Sequence, residues 1–304
     1  MRYGLPYMGS KNKIAQWVLS YLPQAENFYD LFCGGCAITH CAILQGKYKN
    51  YYINDIKGEM PQGFVDCLNG KYDKDYRWIS HEDFDRLKGQ GDLLVDCCFS
   101  FGNNWRKGYA YSREIEPYKK ALHYAIFFED YTQAKELIGI DLSVLSNYHD
   151  VETKYTKCKK IIVDNTNINR FDILSLERIL SIERLQGLKQ LENMTRLQGL
   201  IVPSGKSYHD IEVKPNSVIY CDIPYRSTSK YNEIEFDYDR FYSWALSQTE
   251  PIFISEYEMP NDFICIASKN KKVTLSATDN SSDKIEKIFV PKHQYSKTPK
   301  LTLF

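Results

Sequence analysis

A strand, a glycine turn, a helix and a second strand follow one another early in the chain, and this order constrains the fold more than any other feature. Residues 27–32 form a short strand segment, which Gly34-Gly35 separates from a helical segment at residues 37–44. A second strand segment at residues 51–53 is followed by Asn54-Asp55. A β-turn-α-β unit of this length places its two strands parallel in one sheet. The chain is therefore predicted to contain an α/β sheet.

Further apolar segments predict additional strands in the second half of the chain. They lie at residues 200–202, 217–221, 251–255, 263–267 and 285–290. Residues 57–159 interrupt the alternation, because they are rich in aromatic residues, Lys, Asp and Asn and show helical patches without strand pairs. We therefore predict a discontinuous α/β domain from residues 1–56 and 160–304, with a mainly helical insertion at residues 57–159.

Apolar spacing predicts three helical segments outside the first β-turn-α-β unit. Ser10 is the expected N-cap of a helix whose apolar residues continue to Leu22, and Pro23 closes it. The insertion has helical periodicity at residues 117–137, and the chain after it has helical periodicity at residues 173–197.

Composition and charge disfavour some classes of protein. No stretch of 18 apolar residues exists and the first residues lack a signal-type apolar region, so membrane spanning and secretion are disfavoured. The nine cysteines are then expected to be reduced thiols in a cytoplasmic protein. The net charge is zero, but lysines cluster at residues 153–160 and 265–300. Such clusters can neutralise phosphates or can simply be solvated surface.

The glycine turn and the acid that follows the second strand have the spacing of a nucleoside-binding site. Gly34 and Gly35 would let the backbone approach a ligand, and Asp55 could accept hydrogen bonds from both hydroxyls of a ribose. Cys33 and Cys36 flank the glycines and offer another interpretation, a dithiol redox site or a metal site. Small residues that fill a tight turn are a third interpretation of the same four positions.

The tetrapeptide Asp222-Ile223-Pro224-Tyr225 follows a strand expected near the centre of the sheet. An Asp carboxylate and a backbone carbonyl can each accept one N–H of an exocyclic amine, which aims the nitrogen lone pair at an electrophile. An aromatic ring can then stack on the base, and the proline stiffens the loop. A plain strand-ending turn is the alternative, since Asp-x-Pro sequences are common.

Several segments, taken in order, resemble the motifs of one enzyme family. They are Tyr7-Met8-Gly9-Ser10-Lys11, Tyr29-Asp30-Leu31-Phe32-Cys33-Gly34-Gly35-Cys36, Asn54-Asp55, Ser100-Phe101-Gly102-Asn103-Asn104, Ser207-Tyr208-His209-Asp210, Tyr220-Cys221-Asp222-Ile223-Pro224-Tyr225 and Ile254-Ser255-Glu256-Tyr257. The chain resembles the Dam-like (D12 class) N6-adenine DNA methyltransferases. The resemblance implies a Rossmann-like S-adenosylmethionine-dependent methyltransferase sheet, with the insertion as the target-recognition domain.

The resemblance also implies a function and a set of site residues. The expected activity is methyl transfer from S-adenosylmethionine to a flipped-out adenine in double-stranded DNA, without a metal, by a monomer or weak dimer of bacterial or phage origin. The implied catalytic residues are Asp222, Ile223, Pro224 and Tyr225. The implied cofactor-binding residues are Tyr7, Gly9, Lys11, Asp30, Phe32, Gly34, Gly35, Asp55 and Asp210, and the implied DNA-binding residues are Asn103, Asn104, Arg106, Lys107, Tyr111, Thr228 and Tyr231.

Two positions depart from the family pattern and keep alternatives open. Cys36 replaces the second glycine of the loop, and Ile223 replaces the first proline of the catalytic tetrapeptide. A DNA-binding protein that kept the fold and lost turnover is therefore one alternative, and a thiol oxidoreductase that uses Cys33 and Cys36 is another. Cytosine-N4 methylation uses similar loop chemistry, and both a solitary enzyme and a partner of a restriction enzyme fit the residues.

Overall fold

The computed structural model describes residues 3–7, 9–103, 108–168, 177–188, 200–226, 236–271 and 284–297. The chain divides into two compact units. The sheet unit consists of Met1–Gly4, Ser10–Val65 and Leu191–Phe304, and the helical unit consists of Leu5–Gly9 and Asp66–Gln190. The boundaries after Val65 and Gln190 lie later in the chain than the predicted ones at residues 57 and 160.

Seven strands form one sheet in the sheet unit. They are β1 (Asn27–Asp30), β2 (Asn50–Asn54), β3 (Leu200–Ser204), β4 (Ser217–Asp222), β5 (Ile252–Glu256), β6 (Phe263–Lys271) and β7 (Lys284–Pro291). Their order is β3-β2-β1-β4-β5-β7-β6. The strands from β3 to β5 pair in parallel, and β7 is antiparallel to both β5 and β6. The predicted α/β class is confirmed, and the sheet is mostly parallel.

The centre of the sheet lies between β1 and β4. Every residue of β1 is buried, and β4 is buried up to its last residue, which is typical of parallel strands covered on both faces. The order of the chain reverses between these two strands, and Asp30 pairs in register with Tyr220. The loops that leave the carboxyl ends of β1 and β4 therefore begin side by side, where open α/β sheets bind ligands.

Nine helices are found among the described residues. They are α1 (Ala15–Tyr21), α2 (Ala37–Gln45), α3 (Glu59–Leu68), α4 (His81–Leu87), α5 (Glu116–His123), α6 (Tyr131–Ile138), α7 (Val151–Asn165), α8 (Glu177–Leu188) and α9 (Tyr238–Ser247). Several of their ends follow ordinary capping chemistry. Gly46 ends α2 in a left-handed conformation, and the Asp237 side chain accepts the backbone N–H of Arg240 at the start of α9.

The first predicted helix begins later than its sequence pattern indicates. A 3₁₀ turn at Lys11–Lys13 follows Ser10, and α1 begins only at Ala15. Ser10 makes no capping hydrogen bond to this turn, and its buried hydroxyl has no hydrogen-bond partner among the described residues. The prediction of Ser10 as the N-cap is therefore wrong, because the 3₁₀ turn separates this residue from the helix.

The helical unit contains α4 to α8 and two π-helical turns, at Leu94–Cys98 and Tyr124–Phe128. The segment predicted as helical at residues 117–137 is interrupted, since Glu129 adopts a left-handed conformation and the Asp130 side chain caps α6. Of the helix predicted at residues 173–197, α8 lies within the described residues and the flanking parts lie outside them. No helix in the described part of the chain is long and apolar enough to span a membrane.

Candidate functional site

The tetrapeptide Asp222–Tyr225 leaves the carboxyl end of β4 and is held from two directions. The Ile223 side chain is 2% exposed and packs in the core cluster that contains Phe241. The Tyr238 hydroxyl donates a 2.9 Å hydrogen bond to the carbonyl of Pro224. A buried side chain and a hydrogen-bonded carbonyl thus fix the backbone of the loop on both sides of the Ile223 carbonyl.

Lys11 brings a positive charge to this loop. Its ammonium nitrogen lies 2.8 Å from Oδ1 of Asp222 and 3.8 Å from Oε2 of Glu286, although the residue is only 6% exposed. The same nitrogen lies 4.5 Å from the centre of the Tyr225 ring. A buried ammonium needs such partners, because desolvation of an isolated charge costs several kcal/mol.

The Tyr225 side chain is anchored at its hydroxyl and along its ring. The hydroxyl donates a 2.6 Å hydrogen bond to Oε2 of Glu286, and the ring meets the Tyr257 ring at 4.4 Å with an interplanar angle of 71°. Burial raises the pKa of Tyr225 well above its usual value, and the carboxylates of Asp222 and Glu286 raise it further. The side chain is therefore a neutral hydrogen-bond donor at neutral pH.

Glu256, the last residue of β5, supports the segment that follows Tyr225. Its carboxylate accepts the backbone N–H of Arg226 at 3.1 Å and that of Tyr257 at 2.6 Å. Burial raises the pKa of this carboxyl group to about 7, although both hydrogen bonds favour its ionised form. The side chain joins the end of β5 to the end of the tetrapeptide Asp222–Tyr225.

The glycine turn and Asp55 are connected directly. The backbone N–H of Gly34 donates to Oδ2 of Asp55 at 3.0 Å, and the backbone N–H of Lys57 donates to Oδ1 at 3.0 Å. Burial raises the pKa of Asp55 from its ordinary value. Carboxylate oxygens have capacity for more than one donor, so Asp55 can also accept hydroxyl groups.

The glycine turn is tight and packs against the amino-terminal segment. Gly34 and Cys36 both have positive φ angles, 44° and 56°. A β-carbon added at Gly4 would lie 2.1 Å from the carbonyl oxygen of Gly35, so the backbones of the two segments touch. Only glycine at position 4 permits this approach.

Asp30 ends β1 as a buried acid with one unsatisfied oxygen. The residue is 1% exposed, and the Thr39 hydroxyl donates to Oδ2 at 2.7 Å. Oδ1 is buried and has no hydrogen-bond partner among the described residues. Burial raises the pKa of Asp30 to about 7. A buried acceptor of this kind can be satisfied by a donor from outside the protein, such as a water molecule or a ligand.

Asp30, Asp55, Asp222 and Glu256 lie at the carboxyl ends of the adjacent parallel strands β1, β2, β4 and β5. Comparison with known proteins shows which family the first part of the chain resembles. Residues 7–88 match the model of the D12 class N6 adenine-specific DNA methyltransferase family. The resemblance found in the sequence is confirmed over this range, and the mostly parallel α/β sheet is consistent with a methyltransferase fold. Among curated proteins, none matches the chain.

The D12 class match covers one part of the candidate site. It includes Lys11, Asp30, the glycine turn and Asp55, whereas the tetrapeptide Asp222–Tyr225 lies beyond its end. The geometry of the sheet unit brings the two parts together, because Lys11 from the matched range forms the ion pair with Asp222. No group of three or more His, Cys, Asp or Glu side chains among the described residues could hold a metal ion.

The other predicted cofactor-binding residues have different environments. Phe32 is half-buried and lies 5.4 Å from the ring of Tyr208, which is itself buried. Asp210 ends a 3₁₀ turn, and its side chain is 60% exposed. Tyr7 and Gly9 belong to the helical unit, where Tyr7 is half-buried and Gly9 is exposed.

Two of the predicted DNA-binding residues lie within the described part of the helical unit. Asn103 is 5% exposed, and its side-chain amide donates to the Cys97 carbonyl at 2.8 Å and to the Ser181 hydroxyl at 3.2 Å. Tyr111 is half-buried and stacks on Trp78 at 5.8 Å. The remaining predicted positions, Asn104, Arg106, Lys107, Thr228 and Tyr231, lie outside the described residues.

Three residues of the site were not identified from the sequence. They are Thr39, Tyr238 and Glu286. Thr39 and Tyr238 were missed because ordinary helix residues give no functional signal until their partners are known. Glu286 had one available signal, an acid inside an apolar strand segment, but that segment does not tell which side chains point inward.

Proposed function

We propose that the chain is an S-adenosylmethionine-dependent DNA adenine-N6 methyltransferase that acts on a base flipped out of duplex DNA. The observation that carries the proposal is the Lys11–Asp222 ion pair, because it joins the range matched by the D12 class family model to the tetrapeptide at the end of β4. The pair brings an amine acceptor and an aromatic ring together in one unit with the glycine turn and Asp55.

The residues around the glycine turn suit S-adenosylmethionine, whose bound form supplies an electrophilic methyl group on a sulfonium. The unsatisfied Oδ1 of Asp30 suits a cationic donor such as the amino group of the methionine part. Asp55 has remaining acceptor capacity for the ribose hydroxyls. Gly34 and Gly35 have no side chains that would keep a ligand away from the backbone.

We assign the positioning of the target amine to the tetrapeptide. The Asp222 carboxylate and the Ile223 carbonyl would each accept one N–H of the adenine amine, so that the nitrogen lone pair points toward the methyl donor. The Tyr225 ring would stack on the flipped base. Lys11 compensates the charge of Asp222 in the absence of the base. The amine loses its proton after methyl transfer, so no general base is required.

We further propose that the sheet unit carries catalysis and that the insertion, residues 57–159, recognises the DNA. Asn104, Arg106 and Lys107 follow the buried Asn103 directly in the sequence and remain the proposed contacts to bases and phosphates. Binding through phosphates weakens as salt concentration rises, which distinguishes it from apolar contact. A steep salt dependence of DNA affinity would therefore support this part of the proposal.

The test of the proposed function is direct. The protein is incubated with S-adenosylmethionine and diverse unmethylated DNA, and the digested nucleosides are analysed by mass spectrometry. We expect N6-methyladenine with the wild type, none above background with Asp222→Ala, and wild-type amounts with the matched control Asp262→Ala, whose side chain is exposed. Cofactor binding without N6-methyladenine would contradict the proposal. Detection of N4-methylcytosine would show that the target base is cytosine and not adenine.

The buried state of the cysteines argues against a thiol oxidoreductase. Cys33 and Cys36 are buried, and burial raises the pKa of both thiols, whereas redox-active cysteines are accessible and have a lowered pKa. The two functions make opposite predictions. Cys33→Ser retains methyl transfer if the chain is a methyltransferase, and Asp222→Ala retains dithiol chemistry if it is an oxidoreductase.

A further inference from the structure

Glu286 is a buried acid that neither the sequence motifs nor the family match explains. It lies on β7, outside the matched residues, and is 1% exposed, while its neighbour Ile285 is 44% exposed. Burial of a carboxylate costs free energy unless hydrogen bonds and an opposite charge compensate it. The burial of Glu286 beside an exposed isoleucine must therefore be explained by the contacts that its carboxylate makes.

Glu286 contacts two residues of the candidate site, Tyr225 and Lys11. Oε2 accepts the Tyr225 hydroxyl at 2.6 Å, and the same oxygen lies 3.8 Å from the Lys11 ammonium. A hydrogen bond to a carboxylate is shorter and stronger than one between neutral groups. Lys11 supplies the compensating positive charge, so the acceptor and its counter-ion both belong to the site.

The hydrogen bond at the hydroxyl influences both the position and the orientation of the Tyr225 ring. The hydroxyl oxygen lies on the axis of the ring torsion, so the hydrogen bond fixes the direction of the side chain. Because a phenol O–H prefers to lie in the plane of its ring, an acceptor at a fixed place beside the hydroxyl also favours one orientation of that plane. The contact with Tyr257, at 4.4 Å and 71°, restricts the ring from its side. Stacking on a base depends on the ring plane, so the contact that holds this plane contributes to the alignment of the amine.

We propose that Glu286 is a positioning residue that fixes the plane of the Tyr225 ring for stacking on the flipped base. The inference rests on the proposed function, since it assumes that Tyr225 stacks on the target adenine. Glu286 acts through the Tyr225 hydroxyl and does not itself touch the base. Its removal lowers the turnover rate without weakening cofactor binding.

The test is a double-mutant cycle with methyl-transfer kinetics. Glu286→Leu is expected to lower kcat roughly tenfold, in the range that a slightly misplaced group costs, with the cofactor Kd unchanged. Tyr225→Phe retains the ring and is expected to lower kcat similarly. The double variant is expected to be no slower than the slower single variant, because both substitutions break one link. Glu258→Gln, at an exposed acid that follows β5, is the matched control.

Glu286→Gln keeps the test decisive if the leucine variant does not fold. Its amide oxygen accepts the hydroxyl without the charge, so we expect a loss of roughly threefold in kcat with Tyr225 present and no loss in the Tyr225→Phe background. An unchanged kcat in Glu286→Leu, or effects that multiply in the double variants, would overturn the inference. A merely structural role would lower the unfolding temperature and the cofactor affinity equally in both backgrounds.

A failure of the proposed function gives a different result. If the wild type transfers no methyl group, the assigned activity fails while the link between Glu286 and Tyr225 can still be measured. The unfolding temperatures of Glu286→Gln, Tyr225→Phe and the double variant are then compared. Losses that are not additive support the link, and additive losses overturn it.

Discussion

At the scale of single residues, Ile223 shows how one departure from a motif can be compatible with its chemistry. A proline at this position would stiffen the loop through its ring. Here the Ile223 side chain is 2% exposed in the core, and the next carbonyl accepts the Tyr238 hydroxyl. Burial and a hydrogen bond therefore supply the stiffness that holds the Ile223 carbonyl in place for the proposed binding of the amine.

Ile223→Pro is expected to lower stability and to give no gain in methyl transfer. The substitution shortens a buried apolar side chain, and changes of this size in cores cost about 1 kcal/mol or more. The measurements are the free energy of unfolding in urea and kcat on unmethylated DNA. Activity that appears only in the proline variant would show instead that this chain has lost turnover through Ile223. In that case the substitution Tyr238→Phe, made without the proline, should leave methyl transfer unchanged.

At the scale of elements, the glycine turn before α2 contains a strained residue. Cys36 adopts a left-handed conformation, with φ 56° and ψ 33°, which costs a non-glycine residue roughly 1–2 kcal/mol. Its side chain is fully buried, so the thiol contributes packing that partly offsets this cost. The glycine that the family pattern has at this position would avoid the strain and lose the packing.

Two substitutions of Cys36 separate strain from packing. Cys36→Ala keeps the β-carbon and loses the thiol, whereas Cys36→Gly loses both. We expect Cys36→Gly to be more stable than Cys36→Ala by about 1 kcal/mol, because only glycine adopts this conformation without strain. Thermal unfolding with and without S-adenosylmethionine provides the measurement. An alanine variant as stable as the glycine variant would show that the turn relaxes.

The helical unit contains a second element whose role can be tested. Asn103 has φ 53°, and its amide donates hydrogen bonds to the Cys97 carbonyl and the Ser181 hydroxyl. We expect Asn103→Ala to lower the free energy of unfolding by about 2 kcal/mol, since it removes two buried hydrogen bonds. The methylated DNA motif, read by sequencing, should stay the same. A relaxed motif at unchanged stability would instead assign base readout to Asn103.

The elements also show how far the sequence could predict the structure. Each of the seven strands lies on a segment predicted from its apolar residues, because such short runs have few alternatives in an α/β chain. The place of β7 between β5 and β6 and the inward direction of Glu286 were not predictable. Both depend on contacts between distant parts of the chain, as does the pairing of Lys11 with Asp222.

At the scale of the whole molecule, two buried acids make stability depend on pH. Burial raises the pKa of Asp30 and of Glu256 to about 7 each, whereas both groups titrate near pH 4 in an unfolded chain. Between these values the folded state retains protons that the unfolded state has released. The contribution of each acid is therefore fully present below about pH 4 and is lost as pH rises to about 7.

Asp30→Asn and Glu256→Gln are expected to flatten this dependence. Each acid accounts for roughly 4 kcal/mol at most, since its pKa differs by about three units between the two states and one unit corresponds to about 1.4 kcal/mol. Other ionisable groups contribute to both proteins alike, so the informative quantity is the difference between variant and wild type in the free energy of unfolding from pH 5 to 8. Relative to the wild type, both variants should gain stability as pH rises, while the exposed control Glu258→Gln should show no trend. If the difference for Asp30→Asn does not depend on pH, Asp30 is ionised throughout this range. Its unsatisfied Oδ1 would then offer a negative charge to the amino group of the proposed cofactor.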